Sequence, residues 1–199
     1  FFFFFLSGRL ARPGRRRRRP LPRPTGNVVC LFSGGLDSLA GAINHLEEFP
    51  NDRLVLVGHH DGQMAGPFAD QRKLLAKLVP VYPSRVYPVL ARVGHTAPAR
   101  EITLRGRSLI FVAMGVFAAS AQGEGTPLII PENGTIALNP PLTPSRRGSC
   151  STRTAHPHYL AMLARLLDKL GLNHPLRNPL ASKTKGEVVV TCRNQGLMR

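Results

Sequence analysis

The chain has no tryptophan, only three tyrosines and only three cysteines. Cys30, Cys150 and Cys192 are too few for a disulfide framework, and a reducing, cytoplasmic compartment suits them best. No stretch reaches the roughly 18–20 apolar residues that span a bilayer. The longest candidate, Ser108 to Ala121, has the length of a buried core helix. Acid is also scarce, with 11 Asp and Glu against 27 Lys and Arg, a formal net charge of +16. Such an excess usually signals a polyanionic partner, but the shortage of Trp and Tyr leaves few rings for bases to stack on.

The location of the charge alters its meaning. Residues 1–25 hold eight arginines and no acid, and five of those arginines are consecutive from Arg15 to Arg19. Five phenylalanines precede them, the reverse of the order in a secretory signal. Residues 1–25 therefore read as a disordered Arg/Pro-rich segment outside the fold, either upstream read-through or an arm for nucleic acid. Without them the balance is 19 basic to 11 acidic residues, about +8.

From Gly26 the pattern is that of alternating strands and helices. Asn27 to Phe32 is a continuous apolar run, as expected of a strand buried on both faces. A Gly-rich turn, Ser33 to Ser38, leads into a helix from Leu39, with Asp37 or Ser38 as its cap. Arg53 to Gly58 predicts a second strand that runs into His59, His60 and Asp61, and Asp70 to Val79 a helix with Leu74, Leu75 and Leu78 inward. Arg85 to Val93 predicts a third strand, placed at an edge by Pro88. A largely buried helix (Ser108 to Ala121), a strand (Leu128 to Ile130) and an amphipathic helix (Tyr159 to Leu172) follow. Residues 135–157 show no period. The fold class is α/β, a doubly wound parallel sheet with helices on both faces, formed by residues 26–199. In that architecture ligands sit beyond the carboxyl ends of the strands, where Ser33 and His59 fall.

Strand, Ser33-Gly34-Gly35-Leu36-Asp37-Ser38, helix is an arrangement suited to phosphate. The glycines admit an anion close to the backbone, and N–H groups with the helix N-terminus supply positive potential. Ser33 and Ser38 add hydroxyls, whereas Asp37 suits Mg²⁺ or a cap. The stretch resembles the pyrophosphate loop of the N-type ATP pyrophosphatases, which have an adenine-nucleotide α-hydrolase (HUP-like) fold. It is neither a Walker loop nor a dinucleotide fingerprint.

Within that superfamily the chain resembles the 7-cyano-7-deazaguanine synthase group, in particular a synthase-like branch found in anti-phage defence islands. The resemblance runs from about Val28 to Cys192. It rests on Phe32 to Ser38, His59-His60-Asp61, Arg107-Ser108, Pro131-Glu132-Asn133-Gly134, Asn139 to Thr143, Ser151 to Pro157 and Lys183 to Glu187. It implies attack of a substrate carboxylate on the α-phosphate of ATP with release of pyrophosphate. Ammonia then displaces AMP, and a second ATP-dependent step dehydrates the amide to a nitrile. Asp37, Arg107 and Lys183 would be catalytic. Ser33, Gly34, Gly35, Leu36, Asp37, Ser38, His59, His60, Arg153 and Lys185 would hold the nucleotide, Arg105 is a further cation, and Asp37 would face Mg²⁺. His59 and His60 could equally be structural, Lys183 and Lys185 solvated, and Glu132 and Asn133 either ligands or turn residues. ATP and a small carboxylate are the expected partners, with other proteins of a defence or modification system.

One departure stands out. Queuosine-type members of the group end in four zinc-binding cysteines, and Val190 to Asn194 matches only the first of them, at Cys192. No zinc is expected on this chain, since one thiolate makes no tetrahedral site. Its C-terminal part reads as missing, with a loss of stability and of turnover to match. Two other readings remain: thiolation through Cys150, which lies between Arg147 and Arg153, and a basic nucleic-acid-binding protein.

Overall fold

A computed structural model of the chain describes residues 2–5, 26–60, 65–93, 107–138 and 155–198, without the side chains of residues 2–5, 65, 66 and 107. The strands are β1 (Phe2–Phe5), β2 (Val28–Leu31), β3 (Leu54–His60), β4 (Val86–Arg92), β5 (Leu128–Ile129) and β6 (Leu176–Arg177). The helices are α1 (Leu36–Glu48), α2 (Ala65–Val81), α3 (Arg107–Gln122), α4 (Gly134–Leu138), α5 (Pro157–Lys169) and α6 (Lys185–Val190), with a final 3₁₀ turn at Gln195–Met198. All strand pairs are parallel and run in the order β1-β4-β3-β2-β5-β6.

The alternation of side chains along β2 and β3 divides the core in two. Val28, Cys30, Leu54 and Leu56 face one side and meet Leu39, Ile43 and Leu46 of α1, Leu75 and Leu78 of α2 and Val188 of α6. Val29, Leu31, Val55 and Val57 face the other side and meet Val112, Val116 and Ala119 of α3 with Leu163 and Leu167 of α5. Helices therefore cover both faces of a parallel sheet, and the fold is doubly wound α/β. Among the described residues no helix is long and apolar enough to cross a membrane.

Four sequence expectations shift. Helix α1 begins at Leu36, three residues early, and its N-cap is Gly35, with no side-chain capping bond. Asp37 and Ser38 therefore lie inside the first helical turn rather than capping it. Strand β4 is not an edge, because Phe2–Phe5 pairs alongside it from Val89 onward (Phe2↔Val89). That pairing starts just past Pro88, which has no N–H to give to a ladder. Phe2–Phe5 is likewise an exception to the reading of residues 1–25 as outside the fold. Phenylalanine has high strand propensity, and β4 offers these four residues an open edge. Finally, α3 is only half covered: Leu109 and Ile110 are exposed and Phe117 is 76% exposed, although Val112, Val116 and Ala119 are buried.

The chain builds β2, β3 and β4 outward in one direction, then returns to place β5 on the opposite side of β2. The carboxyl ends of β2 and β5 thus flank the point where the winding reverses, the usual crevice for ligands in such sheets.

Candidate functional site

Two turns meet at that reversal point, the one after β2 (Ser33 to Gly35) and the one after β5 (Pro131 to Asn133). Gly34 has φ of +87°, a conformation that favours glycine. A Cβ there would also lie 3.0 Å from the Cγ and backbone N of Gln71. Among the described residues, the N–H groups of Ser33 and Gly34 have no hydrogen-bond acceptor. The first intrahelical bond is donated by Leu39 to the carbonyl of Gly35, so Leu36, Asp37 and Ser38 head α1 with uncapped N–H groups. The Ser33 hydroxyl accepts from Gly35 N–H (3.3 Å) and donates to Ser38 Oγ (3.3 Å), whose own hydroxyl donates to the Gly35 carbonyl (2.8 Å). The arrangement is a helix N-terminus with free donors and two adjacent hydroxyls, suited to an anion.

Asp37 is tied to the second turn. Its Oδ2 accepts from Asn133 Nδ2 at 2.6 Å and from the Asn133 backbone N–H at 3.4 Å. Its Oδ1 is buried with no hydrogen-bond partner, which a carboxylate tolerates poorly unless something else satisfies it. Beside it stands Glu132, whose carboxyl is pushed up to about 7, first by burial and then by the negative charge of Asp37. A half-buried pair of acids with one unmet, buried oxygen suits a divalent cation. Mg²⁺ takes one or two carboxylates and completes its shell with water and substrate phosphates, so Asp37 and Glu132 fit it. No described cluster of three or more His, Cys, Asp or Glu side chains could hold a metal by itself.

The approach of the two turns depends on glycine and asparagine. A Cβ on Gly41 of α1 would lie 2.4 Å from Cβ of Pro131. We expect Gly41→Ala to lower stability by about 1–2 kcal/mol: overpacking costs about 1–3 kcal/mol and improved helix propensity returns up to about 1. Urea unfolding would measure this, and an unchanged midpoint would show that α1 can move freely away from Pro131. Asn178 holds Glu132 from the other side. Its Oδ1 accepts from the backbone N–H groups of Glu132 (3.3 Å) and Leu180 (3.1 Å), and its Nδ2 donates to the Glu132 carbonyl (2.9 Å). The N–H of Gly134 donates to the carbonyl of Lys183 at 2.8 Å, so the segment after β6 straps the second turn in place.

The remaining sequence candidates are more scattered. His59 and His60 are the last two residues of β3 and are buried. His59 lies against Phe111 with ring centroids 6.2 Å apart, and His60 stacks on Phe68 at 4.3 Å. Both therefore have a packing role in the core. Lys183 sends its ammonium to Thr191 Oγ1 (2.8 Å) at an exposed position. Lys185 is the first residue of α6, which is capped by Thr184 in a reciprocal box with Glu187. The sequence Lys183 to Glu187 thus serves as a helix start, and only the Lys183 carbonyl reaches the second turn. Arg107 opens α3, and its side chain lies outside the described residues. So do Asp61, Arg105, Asn139 to Thr143, Arg147, Cys150 and Arg153. Cys192 is buried in the core on the α1 side, and burial pushes the Cys30 thiol far up, leaving it unreactive.

Gln71 and Asn178 were missed. Gln71 sits in the polar run Asp70-Gln71-Arg72-Lys73, but it is four and seven residues before the inward Leu75 and Leu78. Helical spacing could have placed it on the buried face. Asn178-Pro179 reads only as a turn. No family model and no curated protein matches the sequence.

Proposed function

We propose that the protein binds MgATP at the Ser33–Ser38 loop and cleaves it between the α- and β-phosphates to activate a carboxylate. The observation that carries this reading is the union of an uncapped α1 N-terminus with the Asp37–Glu132 carboxylates across the reversal point. Free N–H donors suit the pyrophosphate oxygens. A phosphate alone would be repelled by Asp37, so the two acids make sense when a cation lies between them and the phosphates. Bound Mg²⁺ would supply charge neutralisation for the departing pyrophosphate. The chain's own work is to fix the N–H dipoles and the carboxylates before the nucleotide arrives.

The finer reading rests on the resemblance of these turns to the 7-cyano-7-deazaguanine synthase group. It gives a 7-carboxy-7-deazaguanine-like substrate, amide or nitrile as product, and a HUP-like, cytoplasmic ligase. The defence-associated branch would supply protein partners. Release of pyrophosphate from ATP across a panel of purine-like carboxylates tests it. We expect Mg²⁺-dependent release that needs a carboxylate. Nucleotide binding without any release would confine the reading to the loop, and no binding of ATP would end it.

A further inference from the structure

We infer that Gln71 is a positioning residue for the phosphate loop, an inference that rests on the proposed MgATP reading. Gln71 is completely buried although its neighbours in α2 are polar. The two N–H groups of its Nε2 are shared among three carbonyls, one of them bifurcated: Phe32 (3.3 Å), Ser33 (3.2 Å) and His59 (3.2 Å). Oε1 is buried without a partner, so the donor end of the amide carries the function. The Phe32 N–H is the last to reach β3, donating to the Val57 carbonyl at 2.7 Å. Beyond it the chain leaves the sheet, and Gln71 takes over the carbonyls.

This bonding fixes more than the carbonyls. No peptide bond in the described chain is cis. In a planar trans peptide the N–H points opposite to the C=O. The Phe32 carbonyl shares its peptide with the Ser33 N–H, and the Ser33 carbonyl shares its peptide with the Gly34 N–H. Holding both carbonyls toward α2 therefore turns both N–H groups away from it, and among the described residues neither N–H has an acceptor. The amide is wedged as well: Cβ atoms on Gly34 and Gly58 would lie 3.0 Å from Gln71 Cγ and 3.2 Å from its Cδ. The loop is thus aimed by a side chain that holds it from the side opposite those two N–H groups.

The test compares wild type with Gln71→Met, which keeps volume and removes the donor, and Gln71→Glu. Three measurements are made: calorimetric affinity for MgATP and inorganic pyrophosphate, thermal unfolding, and ¹⁵N order parameters of Ser33, Gly34 and Gly35 without ligand. Gln71→Met is expected to weaken both affinities by about tenfold or more and to lower the order parameters. In the Gln71→Glu variant the new side chain donates to one carbonyl when protonated and to none when ionised. Gln71→Glu is therefore expected to bind within about threefold of wild type near pH 5.5 and to lose about tenfold near pH 8.5. Wild type at the same pH values accounts for His59, His60, Asp37 and Glu132. A lower unfolding midpoint with unchanged affinities and order parameters would overturn the inference, leaving Gln71 a core residue only. Should wild type bind neither ligand, the MgATP reading fails, and the order parameters still decide the role of Gln71: equal values in wild type and Gln71→Met reject it.

Discussion

Replacing Asp37 with asparagine is expected to reduce Mg²⁺-dependent pyrophosphate release by about a hundredfold or more while leaving the empty protein folded. The two halves of this expectation have different origins. The substituted amide keeps an oxygen in place of Oδ2, so the bond from Asn133 Nδ2, 2.6 Å in the parent, has an acceptor either way. The buried Oδ1 has no partner to lose. Removing the charge of Asp37 also relieves Glu132, whose high carboxyl pKa owes its second cause to that charge. Stability of the empty protein at neutral pH should hold or rise slightly. On the MgATP reading, what disappears is one of the two carboxylates proposed to hold the cation, and with it the neutralisation of charge gathering on the leaving pyrophosphate.

The measurement is steady-state pyrophosphate release with a Mg²⁺ titration, beside urea unfolding of the same preparation. Lost activity together with lost stability would mean that Asp37 is a structural helix-start residue, acting through the Asn133 bond. Unchanged activity would remove the carboxylate pair from the mechanism altogether. Asp37→Ala is the less informative variant, since it also strands Asn133 Nδ2 among buried groups.

How far these elements could be read in advance depended on whether their cause was local. The buried β2 and β3 are continuous apolar runs, and the helical spacing of Leu39, Ile43 and Leu46 reports one covered face, so sheet and helices follow from periodicity. The Gly-rich turn was legible because a positive φ and a close approach both demand glycine at Gly34. The start of α1 was not. Asp37 and Ser38 look like caps, but Asp37 is drawn across to Asn133, 96 residues later, and Gly35 becomes the N-cap. Glu132 and Asn133 read equally well as turn residues, and only the return of β5 beside β2 brings them to the Ser33–Ser38 turn. His59 and His60 show a packing role that the sequence left open beside a ligand role. Paired histidines at a strand end fit a ligand role or a structural one, and their burial against Phe111 and Phe68 is a contact that no sequence spacing reveals. Long-range partners decided each case.

The Glu132 carboxyl should make the empty protein lose stability as pH rises from about 4.5 to about 7, by up to about 3 kcal/mol. In the unfolded chain this group gives up its proton near the ordinary glutamate value. In the folded protein it keeps the proton until about 7, because burial and Asp37 both oppose its charge. Between those limits the folded state binds more protons than the unfolded one, so stability falls with rising pH; above the upper limit the loss is complete. His45 acts in the opposite direction. Burial holds it below its usual value despite Asp52 at 2.9 Å, so its contribution is gained as pH rises toward 6.5. The wild-type profile therefore contains two opposed slopes, and the comparison with Glu132→Gln separates them. That variant should match wild type near pH 4.5 and exceed it near pH 8, with the gap opening across the interval. Mg²⁺ should narrow the gap at pH 8 by favouring the ionised pair, and should do little for the glutamine variant. Parallel stability curves for the two proteins would show that Glu132 ionises as an ordinary surface acid, and the cation would then have to be held by Asp37 alone.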